Sequence, residues 1–546
     1  MAASPRLTES PTMSLPVRPT PPLSRRLQRG AAAALLCAAA AMAVPAQAAP
    51  GLPSTNVAWV PAAVDADIDR AFAQAREQRK PVLLYWGATW CPPCNQLKAT
   101  LFNRQDFAAQ AKNFVAVHVD GDRPGAQKLG ARFKVRGYPT VILMNAEGAE
   151  ISRLPGSADA PQVMAVLQAG LSGGRAIRAV LADARAGKGL SANEWRMLAF
   201  HGWEVDEDQL VPAAERPAVL ADLARRSSAG GDAETTTRLW LKALGASDAG
   251  KGIKPDAALR ERVLRVLDDP AQARTHMDVV TQQADDIVKV MSDDGSPERA
   301  ALAARFDAAL SRLQADATLS RGDRLGALVG RVLVARLGQG REVLQPRLPE
   351  ALVRDVRDTT ARLDREITDG YERQAVITSA AWLLGQAALW ADSDGLLKAN
   401  LAKSHSPYYL MSQLGGNARR QGRTEDALSW YQQSFDRSEG PATRLQWGAG
   451  YLAALVDLAP ADAARIEKTA AQLFTEASQD KGAFHERSAR SLQRVGGKLQ
   501  DWNKDGSRSA VLQRLKRQLD GVCAGVDAAD GQRAACDSVL KPRGAG

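Results

Sequence analysis

Val82-Leu83-Leu84-Tyr85-Trp86-Gly87-Ala88-Thr89-Trp90-Cys91-Pro92-Pro93-Cys94 is the stretch that decides the fold. Val82 to Trp86 is a short, unbroken apolar run, the pattern of a strand buried on both faces. A loop from Gly87 to Trp90 leads into the two cysteines, and Leu97, Leu101 and Phe102 follow at helical spacing. Upstream, Val64, Ile68, Ala71, Phe72 and Ala75 predict a helix over 64–80, which Pro81 ends. Downstream, strands are predicted at 114–119, 140–144 and 150–154, with a short helix over 124–133 and a closing helix over 160–171. Strands alternating with helices in this order make a small sheet covered on both faces.

The cysteine spacing carries chemistry. Two Cys three apart at a helix start close a disulfide without moving the backbone. The helix N-terminus offers Cys91 free N–H groups and the positive end of the dipole. Both favour thiolate, so Cys91 is the candidate nucleophile, and Cys94, one turn further in, the candidate resolving thiol. Pro92 and Pro93 cost little in a first turn, where N–H groups lack helical partners. A purely structural disulfide would not need this exposed position. The chemistry calls for no cofactor and no metal, because the sulfurs themselves carry the electrons.

Trp90-Cys91-Pro92-Pro93-Cys94 after a buried strand, with Gly137-Tyr138-Pro139-Thr140 opening a later strand, resembles thioredoxin. Lys80 to Tyr85, with Leu97, Leu101 and Phe102, is most similar to the C-terminal domain of the membrane thiol reductase DsbD and its relatives. The resemblance covers residues 59–172. It implies a thioredoxin fold, a redox-active Cys91–Cys94 pair, and a cis Pro139 whose loop backs the pair. It also implies substrate backbone pairing at Tyr138, protein disulfides as substrates and a DsbD-like membrane protein as electron donor. Trp90 suits either substrate contact or packing, as does Tyr138. His118, on a predicted strand, reads as structural. Where the family's reductases often carry a buried acid, six residues before the first Cys, this sequence has Tyr85, and no Lys stands opposite. Proton transfer to Cys94 is then left to water or Glu147.

Residues 173–546 lack strand alternation and repeat helix-length apolar patterns broken by Gly, Pro and Asp. Ser191-x-x-Glu194 is a capping box. Leu414, Gly415, Gly422, Ala427 and Tyr431 fit a tetratricopeptide unit, with weaker ones around Leu384 and Trp447, so an all-α, TPR-like region is expected. Such arrays present concave protein-binding surfaces. The alternative is a helical domain that only spaces the redox unit. Asp501-x-Asn503-x-Asp505-Gly506 resembles half a calcium loop, but its twelfth position is Leu512, which favours turn chemistry. Gly170-Leu171-Ser172-Gly173-Gly174 matches a nucleophile elbow in letters only, because it ends a helix.

Residues 1–48 are expected to be an export signal. Five Arg precede an apolar run from Ala31 to Val44, and Ala46-Gln47-Ala48 is a small-x-small cleavage site. The run is too short to span a membrane, which takes roughly 20 residues. Ser24-Arg25-Arg26 suits twin-arginine export while Gln28 and Arg29 do not, so the route stays open, as does a start at Met13. A linker over 49–58 follows, and a periplasmic location is expected. Cys37 leaves with the signal, and sequence distance favours Cys91–Cys94 and Cys523–Cys536 disulfides over a shared zinc site. The net charge of +10 over 546 residues is not gathered into any basic block, which argues against a nucleic-acid partner.

Overall fold

A computed structural model describes residues 57–541 apart from 155–158, 172–173, 207–208, 249–251, 341 and 530. The segment expected to be an export signal, residues 1–48, and Cys37 therefore lie outside the described residues.

Five strands form one sheet: β1 (Val60–Ala62), β2 (Val82–Gly87), β3 (Val115–Asp120), β4 (Thr140–Met144) and β5 (Glu150–Leu154). Their order is β1-β3-β2-β4-β5. β1 and β2 run parallel to β3, while β4 is antiparallel to β2 and β5 to β4. The helices of this unit are α1 (Asp65–Gln78), α2 (Pro92–Leu97), α3 (Gln105–Ala111), α4 (Ala126–Arg132) and α5 (Ala160–Leu171). This is a thioredoxin-like α/β fold.

Three elements go beyond the sequence reading: β1, the π-helical turn after α2, and α3. β1 is three residues long and contains Pro61, so alternation could not reveal it; a sheet edge tolerates the missing N–H. α2 passes into a π-helical turn at Lys98–Phe102 before α3 begins.

Every residue of β2 is buried, and its side chains divide between two cores. Val82, Leu84 and Trp86 pack with Ile68, Phe72, Val117, Leu129 and Ile142 beneath α1 and α4. Leu83 and Tyr85 pack with Phe102, Phe107, Ala116 and Leu143 on the opposite face. That second core continues without a break into Trp195, Leu198, Phe200, Leu220 and Leu239 of the helical region. Each such side chain contributes about 1.5–3 kcal/mol on burial, so the helical region is anchored by a shared core. Gly170 belongs to this packing, because a Cβ there would lie 2.2 Å from Leu143.

From Ile177 to Ser538 the described elements are all helices. The capping box forms: Ser191 Oγ accepts from the Glu194 N–H at 3.3 Å, and Glu194 Oε2 accepts from the Ser191 N–H at 2.8 Å. Cys523 and Cys536 are bridged, joining the helices Ser509–Ala524 and Gln532–Ser538. Asp501 lies in the last turn of the helix Glu486–Trp502, and Asn503 to Gly506 form a turn in which Asn503 and Asp505 accept from the following backbone. Asn503 Oδ1 takes the Arg508 N–H at 2.7 Å, and Asp505 Oδ1 takes the Ser507 N–H at 3.0 Å.

Candidate functional site: a covered cysteine pair

Cys91 follows the loop from β2 and caps α2. Its Sγ accepts from the Cys94 N–H at 3.2 Å, and its carbonyl accepts from the Asn95 N–H at 3.0 Å. The Asn95 side-chain amide donates to the carbonyls of Thr89 and Cys91, each at 2.8 Å, and so ties the loop to the helix. Cys91 and Cys94 form a disulfide with their Cα atoms 5.2 Å apart. The same capping position would stabilise a Cys91 thiolate once the bond is reduced.

The Tyr138–Pro139 peptide is cis and precedes β4. Tyr138 packs on Ala88, Cys91 and Cys94, and its hydroxyl accepts from Gln127 Nε2 at 2.8 Å. The ring crosses Gly121 so closely that a Cβ there would lie 2.0 Å from the hydroxyl oxygen. Pro139 and Pro92 lie on one wall of a cavity beside the pair.

The sequence suggests an exposed helix start; here the pair is covered, with Cys91 2% and Cys94 0% exposed. The chain's own helical region supplies the cover. The Trp90 indole donates to Asp122 Oδ2 at 2.9 Å and Thr443 Oγ1 at 2.8 Å. Its ring stacks on Tyr409 at 5.9 Å and meets Trp447 edge-on at 5.8 Å. Arg487 pairs with Asp122 and lies 5.2 Å from the Trp90 ring and 5.1 Å from the Tyr138 ring. On the other flank, Gln374 Nε2 donates to the Trp90 carbonyl at 3.1 Å, and His405 Nε2 lies 3.1 Å from the Thr89 carbonyl. Trp90 and Tyr138 thus face this chain's own side chains. Asp122, Thr443, Gln374 and Arg487 carry no local motif that would mark them, because their roles arise only when segments some 300 residues apart meet.

A group of titratable side chains lies on β2, its neighbour β3 and the turn after α2. Tyr85 stacks on His118, with ring centres 5.1 Å apart, and its buried hydroxyl has no hydrogen-bond partner. Asp120 ends β3 opposite Gly87, against which the Tyr85 hydroxyl lies. Lys98 is buried and sits 5.1 Å from the centre of the Tyr371 ring. Burial, aided by Asp122, pushes Asp120 up to about 6, against the pull of Lys98. Burial brings Lys98 down to about 8 despite Asp120, and burial with Lys98 and Arg123 nearby brings His118 down to about 3. An acid and a lysine are therefore present, on β3 and on the turn after α2, positions the strand pattern alone does not reveal. Glu147 is not placed to reach Cys94. It follows Met144, which pairs with Val82 at the start of β2, whereas the cysteines follow the strand's other end.

Among the described residues, one set of potential metal ligands gathers, Glu150, His201 and Asp206. The Arg153 guanidinium already occupies Glu150 at 3.0 Å, and His201 lies 3.2 Å from Asp206, so these groups satisfy one another.

Residues 68–171 match the family model for a thioredoxin-like domain. The chain is similar to the thiol:disulfide interchange protein DsbD of Klebsiella pneumoniae, 35% identical over 19% of this chain and 18% of that protein. It is 31% identical to thiol:disulfide interchange protein DsbD 2 of Pseudomonas aeruginosa over 21% of this chain and 20% of that protein. It is also 25% identical to the disulfide bond reductase DsbH of Chlamydia pneumoniae over 15% of this chain and 57% of that protein. The chain thus spans about a fifth of the length of these DsbD proteins. No described helix is long and apolar enough to cross a membrane. Strand order, cysteine geometry and family match converge on a thioredoxin-like domain with a redox-type Cys91–Cys94 pair, followed by a large all-helical region.

Proposed function

We propose that this chain is an exported thiol–disulfide oxidoreductase that reduces or isomerises protein disulfides. The observation that supports it best is Cys91 Sγ at the cap of α2, accepting the Cys94 N–H, beside the Tyr138–Pro139 loop. In the reduced enzyme the Cys91 thiolate attacks one sulfur of a substrate disulfide. The other substrate sulfur leaves as thiolate and takes a proton. Cys94 then gives up its proton and attacks Cys91 Sγ. The second substrate sulfur leaves, the Cys91–Cys94 disulfide forms, and two electrons have passed to the substrate. A dithiol donor then attacks the Cys91–Cys94 disulfide, forms a mixed disulfide with one sulfur and leaves as its own disulfide, which restores both thiols. The name of the disulfide bond reductase DsbH supports the reductase direction, and the resemblance to the DsbD C-terminal domain suggests a DsbD-like membrane protein as donor. The leader supports a periplasmic location. Residues 59–172 form the redox unit in this reading, and 173–546 a TPR-like client surface. Close packing of Gly415 on Tyr431, where a Cβ would lie 2.9 Å from the ring, supports that last element.

A Cys94→Ala variant tests this. It should accumulate mixed disulfides with exported proteins through Cys91, and these should vanish when Cys91 is also changed to Ala. The cover over the pair favours a second reading, a non-catalytic client-binding scaffold with a thioredoxin docking module. That scaffold would hold its clients equally well with both cysteines replaced.

A further inference from the structure

Under the cover, residues that flank the cysteine pair border open space, although neither cysteine lines it. A cavity of about 820 Å³ lies between the thioredoxin-like unit and the helical region. Pro92, Tyr138 and Pro139, the residues flanking the disulfide, form one wall; Gly326, Ser379, Trp382 and Gln413 belong to the other. A folded 100-residue domain has a radius of gyration of about 13 Å, far too large for such a space. Nor could a folded surface rest on Trp90 or Tyr138 while Arg487, Tyr409 and Trp447 occupy those rings.

The lining indicates what fits. Gln96, Gln282 and Gln413 supply amides suited to peptide backbone, while the Thr100 and Thr378 hydroxyls, which already donate to the Gln96 and Gln374 carbonyls, can only accept. Trp382, at 43% exposure, is the one large aromatic among the exposed large hydrophobics of the described residues, and it faces this space. An aromatic left open in a concave wall suits an apolar side chain of a bound segment. No Lys or Arg lines the cavity, which disfavours an anionic small disulfide such as oxidised glutathione; of the acids that line it, Asp159, Glu204 and Asp286 are already paired with Arg274, Lys242 and Lys289.

Building on the oxidoreductase reading, we infer that the substrate is an extended, unfolded polypeptide segment, neutral or basic, that reaches Cys91 through this cavity. A folded protein must wait for the cover to open. An open state populated at about 1% would make its exchange about 100-fold slower.

The test uses the reduced full-length protein and follows oxidation of the Cys91–Cys94 pair by thiol trapping. Three oxidants are compared: an unstructured ten-residue peptide carrying a mixed disulfide, a folded protein with a surface disulfide, and oxidised glutathione. The expected order is peptide first, with the other two about 100-fold slower. Ser379→Trp, which narrows the cavity, should slow the peptide. Arg487→Ala, which loosens the cover, should speed the folded protein. Equal rates for peptide and folded protein in the wild type would overturn the inference without any variant having to fold. Exchange of the pair with dithiothreitol is measured in parallel. If it proceeds while the peptide preference is absent, the substrate inference falls and the oxidoreductase reading stands; if it fails, the oxidoreductase reading falls.

Discussion

Arg487 is ion-paired with Asp122, a residue 365 positions earlier in the chain, and the two side chains are only 11% and 12% exposed. The same Asp122 carboxylate accepts the Trp90 indole N–H and a bond from the Thr443 hydroxyl. One carboxylate therefore joins the loop before Cys91 to two helices of the distal region. Removing one partner of a buried pair leaves an uncompensated charge.

Arg487→Ala should thus destabilise the chain by about 3–5 kcal/mol. It should also increase the reactivity of the Cys91–Cys94 disulfide towards small dithiols. Denaturant unfolding and stopped-flow reduction check the two parts. A loss of stability without a gain in reactivity would show that the pair supports packing but does not gate the cysteines.

Asp120 gives stability a pH dependence with a definite sign. Its carboxyl is raised from 3.8 to about 6 in the folded chain, so the folded state holds its proton more tightly than the unfolded state. The stabilisation is complete below about pH 4 and is lost as pH rises through 6. A shift of this size corresponds to at most about 3 kcal/mol. Asp120→Asn should flatten the stability profile between pH 4 and 6, as measured by urea unfolding at each pH.

Lys98 acts in the opposite direction at higher pH. Its amine falls from 10.5 to about 8, so stability is greatest above the unfolded value and declines as pH falls from about 10 through 8. Lys98→Met keeps the buried stem and removes the charge. It should abolish that decline in the same unfolding series.

The buried Tyr85 hydroxyl has no partner. Tyr85→Phe removes an unsatisfied polar group while keeping the ring stacked on His118, so stability should hold or rise by about 1 kcal/mol. Exchange kinetics of the cysteine pair should not change. A large loss of rate would place this phenol on the proton path to Cys94.

The Cys523–Cys536 bridge closes a short loop between two terminal helices. Replacing both with Ala should cost about 2–4 kcal/mol of local stability. Hydrogen exchange should quicken in Ser509–Ala524 and Gln532–Ser538 and remain unchanged around Cys91.

Much of this architecture was legible in local pattern. Val82–Trp86 reads as a doubly buried strand because both sheet faces are covered, and Ser191 and Glu194 announce a helix start. Val60–Ala62 escaped because three residues with a proline carry no period. The cover escaped for a different reason: Trp90 is a substrate-facing candidate in isolation, and only tertiary packing sets Tyr409, Thr443 and Arg487 against it. Lys98 and Asp120 look like ordinary surface charges in the sequence until the π-helical turn and the end of β3 bury them.

The central claim is that Cys91, once reduced, is an activated thiolate at the cap of α2. The most direct measurement is the pH dependence of Cys91 alkylation in Cys94→Ala, which frees one thiol at the site. The account predicts a midpoint below about 7.5, in the range of helix-capping cysteines. A midpoint at or above about 8.5, that of an unperturbed thiol, would contradict it.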